Sequence, residues 1–153
     1  MKNKLNLGCG EDYREGYVNV DIGLCNKDVY HDLEQFPYPF VDNQFVEILM
    51  QHSIEHISRD NFPKLVEELY RISASGGKIL ISAPYYLSRN AYTDFTHKNF
   101  MTEESFSYFD PRHPLYRLGK IYGCTAKFKV EVRLDKDRLH PETNIFYNLE
   151  AIK

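Results

Sequence analysis

Two glycines and a carboxylate near the start of the chain have the residue types and spacing of a nucleoside-binding site. Gly8 and Gly10 follow a short apolar run at 5–7, and Asp21 closes a second apolar run eleven residues after Gly10. Glycine lets the backbone approach a ligand closely, because it lacks Cβ and adopts positive φ. A carboxylate at the end of the next strand can accept hydrogen bonds from both ribose hydroxyls. The pattern predicts a nucleoside site at two neighbouring strand exits.

The same glycine pattern limits what the nucleoside carries. It reads G-x-G, and Tyr13 stands where a G-x-G-x-x-G dinucleotide fingerprint has its third glycine. The sequence also contains no G-x-x-x-x-G-K-[ST] phosphate-binding loop. A nucleoside ligand without a phosphate chain is the interpretation that remains.

Two histidine-containing segments offer a general base. His52 follows an apolar run, and His97 closes the segment 94–97, in which Asp94 is placed to orient the imidazole. Imidazole titrates near neutral pH and is suited to removing a proton from an acceptor. The structural alternative is that His56 caps or packs its helix while His52 only lines the ligand.

A different chemistry is compatible with the segment His52-x-x-Glu55-His56. It matches H-x-x-E-H, in which two histidines bind zinc and the glutamate activates water. Only three residues of the pattern are fixed, so chance matches are common, and the segment lies at a strand exit expected for a cofactor pocket. A zinc hydrolase stays as an alternative, and we assign no residue as a metal ligand.

Strand and helix patterns alternate along the first half of the chain, as in a parallel sheet with right-handed crossovers. The apolar runs predict strands at 4–7, 17–21, 28–31, 45–50 and 78–83. Apolar residues at helical spacing predict a helix over 61–73, ended by Gly76-Gly77. Alternating residues at 126–134 and 145–152 predict a C-terminal antiparallel hairpin. The expected fold class is α/β with a mostly parallel sheet.

Taken in order, these segments resemble the motifs of class I S-adenosylmethionine-dependent methyltransferases of the type 11 kind. Segment 5–10 is similar to their first motif, 19–22 to their ribose-binding motif, and 31–33 to the segment whose aspartate often meets the adenine amino group. Segment 42–57 is similar to their fourth strand and the start of the helix that follows it. Segment 67–84 is similar to the next helix, glycine turn and fifth strand. The resemblance covers residues 4–85, more than half of the chain.

The resemblance implies a Rossmann-like methyltransferase fold with S-adenosylmethionine as the cofactor and a small-molecule acceptor methylated at oxygen or nitrogen. The cofactor-binding residues expected from it are Asn6, Gly8, Cys9, Gly10, Asp21, Ile22, Asp32, Leu33 and Gln51. The candidate catalytic residues are His97, His52 and Asp94.

Two departures mark the chain as a minimal variant of that family. Only residues 11–16 separate the glycine turn from the second strand, which leaves almost no room for the usual long helix. Asn6 stands where the family often has an acidic residue. These departures motivate an alternative, a methyltransferase fold that has lost activity and serves as a binding module. Asp21 and Asp32 argue against it, because a dead pocket has no need of a ribose carboxylate.

We expect a single domain over residues 1–153 with an insertion at about 85–123 on the acceptor side. The insertion is rich in Tyr and Phe, which serve recognition and packing alike. Its aromatic residues are compatible with an acceptor-binding lid and with a segment that completes the core.

Composition indicates a small enzyme. The net charge of −3 disfavours a nucleic-acid partner, and no apolar run is long enough to cross a membrane. Cys9, Cys25 and Cys124 form no C-x-x-C pair and predict free thiols in a reducing, cytoplasmic compartment. A chain this short can cover an exposed sheet edge by forming a homodimer.

Overall fold

A computed structural model of the chain describes residues 2–153 and contains one seven-stranded sheet. The strands are β1 (Lys4–Leu7), β2 (Val18–Asp21), β3 (Val29–Tyr30), β4 (Phe45–Gln51), β5 (Ser73–Pro84), β6 (Phe128–Leu134) and β7 (Asn144–Ala151). Their order across the sheet is β3-β2-β1-β4-β5-β7-β6. The first five strands are parallel, and β7 runs antiparallel between β5 and β6. The predicted mostly parallel sheet with a C-terminal hairpin is confirmed.

Helices are few in the described chain, and all of them begin after residue 53. They are α1 (Phe62–Ile72), α2 (Asn90–Thr93) and α3 (Tyr116–Ile121), together with two 3₁₀ turns at Ile54–His56 and Ser107–Phe109. In α1 the buried residues Leu65, Val66, Leu69 and Ile72 follow the spacing of one helix face, as predicted. Within residues 2–153, none of the helices has the length and apolar character needed to cross a bilayer.

The end of α1 differs from the sequence prediction, which was wrong about the role of Gly76-Gly77. The helix ends at Ile72, and β5 begins at the next residue, so both glycines lie inside the strand. Gly76 has a φ of +69°, and the pairing of β5 with β4 shifts register at this point. A Cβ on Gly77 would lie 2.9 Å from the Phe45 carbonyl oxygen. The glycines therefore permit a close approach of two strands.

The core lies on one face of the sheet. Ile79 and Ile81 of β5 and Leu149 of β7 point to the face that packs on α1 and are buried. The residues of the other face alternate with these and are mostly polar, and even Leu80 on that face is 37% exposed. In residues 8–44 the structure forms strands and turns but no helix. At β1, β2 and β4, however, Asn6, Asn19 and Leu49 on this face are buried, and the two asparagines hydrogen-bond to the loop at 11–17 that stands in place of a helix.

A hydrogen-bonded pair on α1 holds the segment between β3 and β4 in place. Glu68 accepts a hydrogen bond from Tyr38 N at 2.7 Å and pairs with Arg71 at 2.5 Å. Arg71 also donates to the Phe40 carbonyl oxygen at 2.8 Å and to Asp42 at 2.7 Å. Side-chain contacts thus fix a long irregular connection against the helix.

Part of the 85–123 insertion belongs to the core. Tyr85, Phe106 and Phe109 are buried, and Phe106 stacks at an angle on Tyr147 of β7, with ring centroids 4.7 Å apart. The hydroxyl of Tyr147 donates to the Thr102 carbonyl oxygen at 2.5 Å. The insertion therefore completes the core, while its role toward an acceptor stays a prediction.

Candidate active site

The glycine turn after β1 is tightly fixed. Gly8 and Gly10 have φ of +64° and +49°, in the left-handed region that favours glycine. A Cβ on Gly8 would lie 2.2 Å from Ser53 Oγ, so no larger residue fits beside this serine. Ser53 in turn donates to the Gly8 carbonyl oxygen at 3.2 Å. The exits of β1 and β4 therefore touch at the turn through Ser53, which sequence reasoning missed.

Asp21 joins the exits of β1 and β2. Its Oδ2 accepts a hydrogen bond from Gly10 N at 2.8 Å, and its Oδ1 accepts one from Gly23 N at 2.6 Å. A carboxylate has about four acceptor sites, so both oxygens retain capacity for a further donor such as a ribose hydroxyl. Ile22 follows directly and is 52% exposed, which offers an apolar surface beside the carboxylate.

Two buried asparagines hold the loop that replaces a helix between β1 and β2. Asn6 donates to the Asp12 carbonyl oxygen at 2.8 Å and to Asn19 Oδ1 at 3.1 Å. Asn19 in turn accepts from Arg14 N at 2.9 Å, and the Arg14 guanidinium donates to Gln51 Oε1 at 3.1 Å. The Asn6 side chain thus supports the loop beside the glycine turn. Asn19 was not predicted as a site residue, although a polar residue between the two valines of β2 was a signal.

The Cys9 thiol lies under the turn. Cys9 is buried, and its Sγ is 3.6 Å from the Asn26 carbonyl oxygen. The thiol sulfurs of Cys9 and Cys25 and a carboxylate oxygen of Asp21 lie within 4.8 Å of one another. Burial, reinforced by Cys25 and Asp21, raises the pKa of Cys9 to about 11. The thiol is therefore protonated at neutral pH and is not a nucleophile.

Asp32 and Leu33 lie just beyond β3. Asp32 Oδ1 accepts from Glu34 N at 2.9 Å, which closes a tight turn. A Leu33 methyl group lies 3.6 Å from the position of a Cβ on Gly8, so the side chain reaches the glycine turn. Both residues are partly exposed. The exits of β1, β2 and β3 thus bring most of the predicted cofactor-binding residues to one edge of the sheet.

Glu34 ties this edge to the rest of the site. It accepts hydrogen bonds from Ser58 N at 2.6 Å and from Lys98 of the insertion at 2.9 Å. Burial alone would raise the pKa of Glu34, but these hydrogen bonds outweigh it and lower the pKa to about 2. The carboxylate therefore stays charged and holds the insertion against the strand exits.

His52 lies at the exit of β4 in a conformation that excludes the helical zinc pattern. Its φ is +50°, and its backbone N donates to the Ser82 carbonyl oxygen at 2.8 Å. The H-x-x-E-H arrangement needs both histidines on one helix, whereas here a 3₁₀ turn begins only at Ile54. The Glu55 carboxylate, 3.6 Å from His52 Nδ1, raises the pKa of this half-exposed imidazole.

His97 is brought to the strand exits by the insertion. Its ring stacks edge-on against His56, with centroids 4.9 Å apart, and its Nδ1 lies 3.0 Å from the Ala91 carbonyl oxygen. The contact from His97 Nε2 to Asp94 Oδ2 is 3.9 Å, longer than a hydrogen bond. Asp94 instead accepts from Thr96, through its hydroxyl at 2.6 Å and its amide at 2.8 Å. Ala91 therefore orients the His97 ring directly.

A cleft of about 490 Å³ lies in the insertion, away from the glycine turn. Its walls come from the start of α1, including Phe62, and from aromatic residues of the insertion such as Phe100 and Tyr108. The buried side chain of Asn99 also lines it. None of the residues predicted to bind the cofactor belongs to this lining.

The strand order and the position of the glycine turn define a class I methyltransferase fold. Here Gly8 and Gly10 follow β1, and Asp21 ends β2, at the edge where open parallel sheets bind ligands. No family model matches the sequence. A comparison with curated proteins likewise gives no significant match.

Several solved structures are similar to this chain in fold. A S-adenosylmethionine-dependent methyltransferase from Archaeoglobus fulgidus superposes with a TM-score of 0.68 at 14% identity, over 96% of this chain and 85% of that one. The N-methyltransferase NodS from Bradyrhizobium japonicum gives 0.62 at 11% identity, over 99% and 86%. A Burkholderia thailandensis 1,6-didemethyltoxoflavin N1-methyltransferase gives 0.60 at 8% identity, over 98% and 71%. At these identities the likeness establishes the fold.

Proposed function

We propose that the protein is an S-adenosylmethionine-dependent methyltransferase that methylates a small molecule at oxygen or nitrogen. The observation that carries the proposal is the contact between Asp21 and the glycine turn, with Oδ2 2.8 Å from Gly10 N. It puts a carboxylate beside a left-handed glycine turn where two parallel strands end, which is the place where such sheets bind nucleosides.

The surrounding residues fit the nucleoside part of the cofactor. Asp21 would accept the ribose hydroxyls, and Asp32 with Leu33 would contact the adenine from the next strand exit. Ile22 and Gln51 would flank the ligand on either side, both with exposed side chains. The Burkholderia enzyme of the same fold was solved with S-adenosylhomocysteine and its acceptor bound, which supports a cofactor of this class.

In the proposed reaction the chain positions the acceptor and removes its proton. When bound, S-adenosylmethionine would supply a methyl group activated by its sulfonium. The acceptor lone pair would form a bond to the methyl carbon as the C–S bond breaks and its electrons go to sulfur. His52, which is half-exposed at the exit of β4, would act as the base. The insertion would hold the acceptor in line with the methyl carbon, and this alignment would supply much of the rate enhancement.

The acceptor class follows from size and charge. The net charge of −3 disfavours a polyanion, while the partly exposed aromatic residues of the insertion suit a small planar or apolar acceptor. The Burkholderia neighbour was solved with 1,6-didemethyltoxoflavin bound, which supports a small-molecule acceptor.

Calorimetric titration with S-adenosylmethionine and S-adenosylhomocysteine tests the proposal. Micromolar binding of both is expected, and Asp21→Asn should weaken it roughly 10- to 100-fold, because a hydrogen bond to a charged group contributes about 1.5–3 kcal/mol. Asp137→Asn is a matched control, since Asp137 Oδ1 accepts from an amide two residues on, as Asp21 Oδ1 does. No binding by the unaltered protein, or equal affinities in the two variants, would overturn the assignment.

A second candidate is a binding module that takes up the cofactor without transferring its methyl group. The loop at 11–17, which stands in place of a helix, is the observation that favours it. Cofactor binding without methylation of any compound in a broad panel of phenols, amines and heterocycles would support the module. Formation of S-adenosylhomocysteine in the presence of one of these acceptors would exclude it.

A further inference from the structure

Three side chains at the β4 exit form a cluster that the cofactor site does not use. Glu55 and His56 belong to the 3₁₀ turn Ile54–His56, and His97 comes from the insertion. Ligand-type atoms of these three residues lie within 4.8 Å of one another. Two imidazoles and one carboxylate are a common donor set for divalent transition metals.

One oxygen of the Glu55 carboxylate lacks a partner that its burial calls for. Its side chain is 4% exposed, and Oε2 has no hydrogen-bond partner among residues 2–153. Its other oxygen, Oε1, is 3.6 Å from His52 Nδ1. A buried carboxylate oxygen without a donor is costly, and buried charges in proteins are normally paired or bound to a metal.

Both imidazoles have the tautomer that a metal ligand needs. The Ala91 carbonyl oxygen, 3.0 Å from His97 Nδ1, can only accept, so His97 carries its proton on Nδ1. Thr96 gives its hydroxyl proton to Asp94 at 2.6 Å and therefore accepts from His56 Nδ1 at 3.0 Å. The Nε2 lone pair of each ring is left free. Metal-binding histidines typically donate their other N–H to a carbonyl or to a carboxylate-linked group in this way.

The backbone fixes the cluster before any ligand arrives. The Glu55 carbonyl oxygen accepts hydrogen bonds from Lys98 N at 2.8 Å and from Asn99 N at 3.1 Å, directly after His97. The segment that carries His97 is thus fastened to the turn that carries the other two ligands. Such preorganisation lowers the entropy that binding costs.

We propose that Glu55, His56 and His97 bind one divalent transition-metal ion of the Zn²⁺ or Fe²⁺ class. Nitrogen donors favour these ions over Mg²⁺ and Ca²⁺, which prefer oxygen ligands. Three protein ligands leave at least one coordination position open to water or to an oxygen of a bound small molecule. The proposed metal site lies next to the glycine turn, because Ser53, two residues before Glu55, contacts Gly8.

Titration of tag-free, chelator-treated protein with Co²⁺ and with Zn²⁺ tests the proposal. One equivalent of Co²⁺ should produce a saturable visible absorption, and calorimetry should give one Zn²⁺ per chain with micromolar or tighter affinity. His97→Gln and Glu55→Gln should each weaken binding at least tenfold. His140→Gln, which alters an exposed histidine elsewhere, should leave the affinity unchanged.

Thermal unfolding separates metal binding from a structural role. Glu55→Gln removes a buried charge that has only His52 beside it, so the metal-free variant should be at least as stable as the unaltered protein yet gain no stability from Zn²⁺. Unaltered metal affinity in both ligand variants, or no one-to-one binding by the unaltered protein, would overturn the proposal. So would a sulfur-to-cobalt charge-transfer band that disappears in Cys25→Ser, because the ion would then lie at Cys9, Asp21 and Cys25.

Discussion

Replacing Gly8 by alanine tests the contact on which the strand-exit geometry depends. The φ of +64° costs a residue with a Cβ about 1–2 kcal/mol. The new Cβ would also lie 2.2 Å from Ser53 Oγ and 2.7 Å from Ser53 Cβ, an overlap of the kind that costs about 1–3 kcal/mol. Together these effects predict that Gly8→Ala lowers the free energy of unfolding by about 2–5 kcal/mol.

Gly10 provides the matched control. Its φ is +49°, but no heavy atom of the described residues beyond its chain neighbours lies within 4 Å of the position that a Cβ would take. Gly10→Ala should therefore pay only the backbone cost of about 1–2 kcal/mol. Ser53→Gly removes both atoms that the Gly8 methyl group would overlap, so in that background the cost of Gly8→Ala should fall by the overlap, about 1–3 kcal/mol.

Urea denaturation gives the free energy of unfolding of the four variants, which are Gly8→Ala, Gly10→Ala, Ser53→Gly and the double variant Gly8→Ala/Ser53→Gly. Unfolding is followed by far-UV circular dichroism, because the chain has no tryptophan to report by fluorescence. The destabilisation by Gly8→Ala is measured once with Ser53 present and once in the Ser53→Gly background. The difference between the two values does not include the cost of losing the Ser53 hydrogen bonds, because both proteins compared in the second background lack them. Equal destabilisation by the two alanine substitutions, or a Gly8→Ala cost that is the same in both backgrounds, would refute the packing argument.

Three further outcomes are expected. The folded-state pKa of Glu34 is about 2, below its ordinary value of 4.5. Its charged carboxylate therefore contributes roughly 3 kcal/mol to the free energy of unfolding above pH 4.5, and this contribution is lost as the pH falls toward 2. The urea midpoints at neutral and acidic pH should differ less in Glu34→Gln than in the unaltered protein. Arg71→Met should destabilise by about 3 kcal/mol, because it leaves the buried Glu68 carboxylate without its ion pair, and an unchanged urea midpoint would contradict this. Gly10→Ala should weaken S-adenosylmethionine binding at least tenfold in calorimetry, whereas Gly16→Ala, which has a φ of +85° and open space around it but lies outside the site, should not; equal affinities would remove the turn from the binding surface.

Local patterns predicted the elements of the fold whose signal lies within a few consecutive residues. The apolar spacing along α1 and the alternation along β6 and β7 report directly which side chains are buried, so these elements were predicted to within about two residues. The link between Gly10 and Asp21 was also accessible, because adjacent parallel strands end at the same edge of a sheet.

Contacts between distant segments were not accessible from the sequence. Ser53 meets Gly8 across 45 residues, and His97 reaches His56 only because the insertion folds back over the 3₁₀ turn. Gly76-Gly77 has the composition of a helix end, yet it serves the close approach of β5 to β4, and that requirement exists only once both strands are paired. In each case the partner, rather than the local sequence, decides the role of the residue.

The part of the mostly polar sheet face that β6 exposes to solvent has a consequence for how sequences of this kind can diverge. Lys129, Glu131 and Arg133 of β6 project from it into solvent, opposite the buried face and apart from the glycine turn. In a parallel sheet with helices on both faces, almost every strand position is constrained by packing. Here, every second position of β6 can change its charge without altering the core. Relatives of this chain should therefore vary most rapidly along this face, and surface charge could be redesigned there independently of the site.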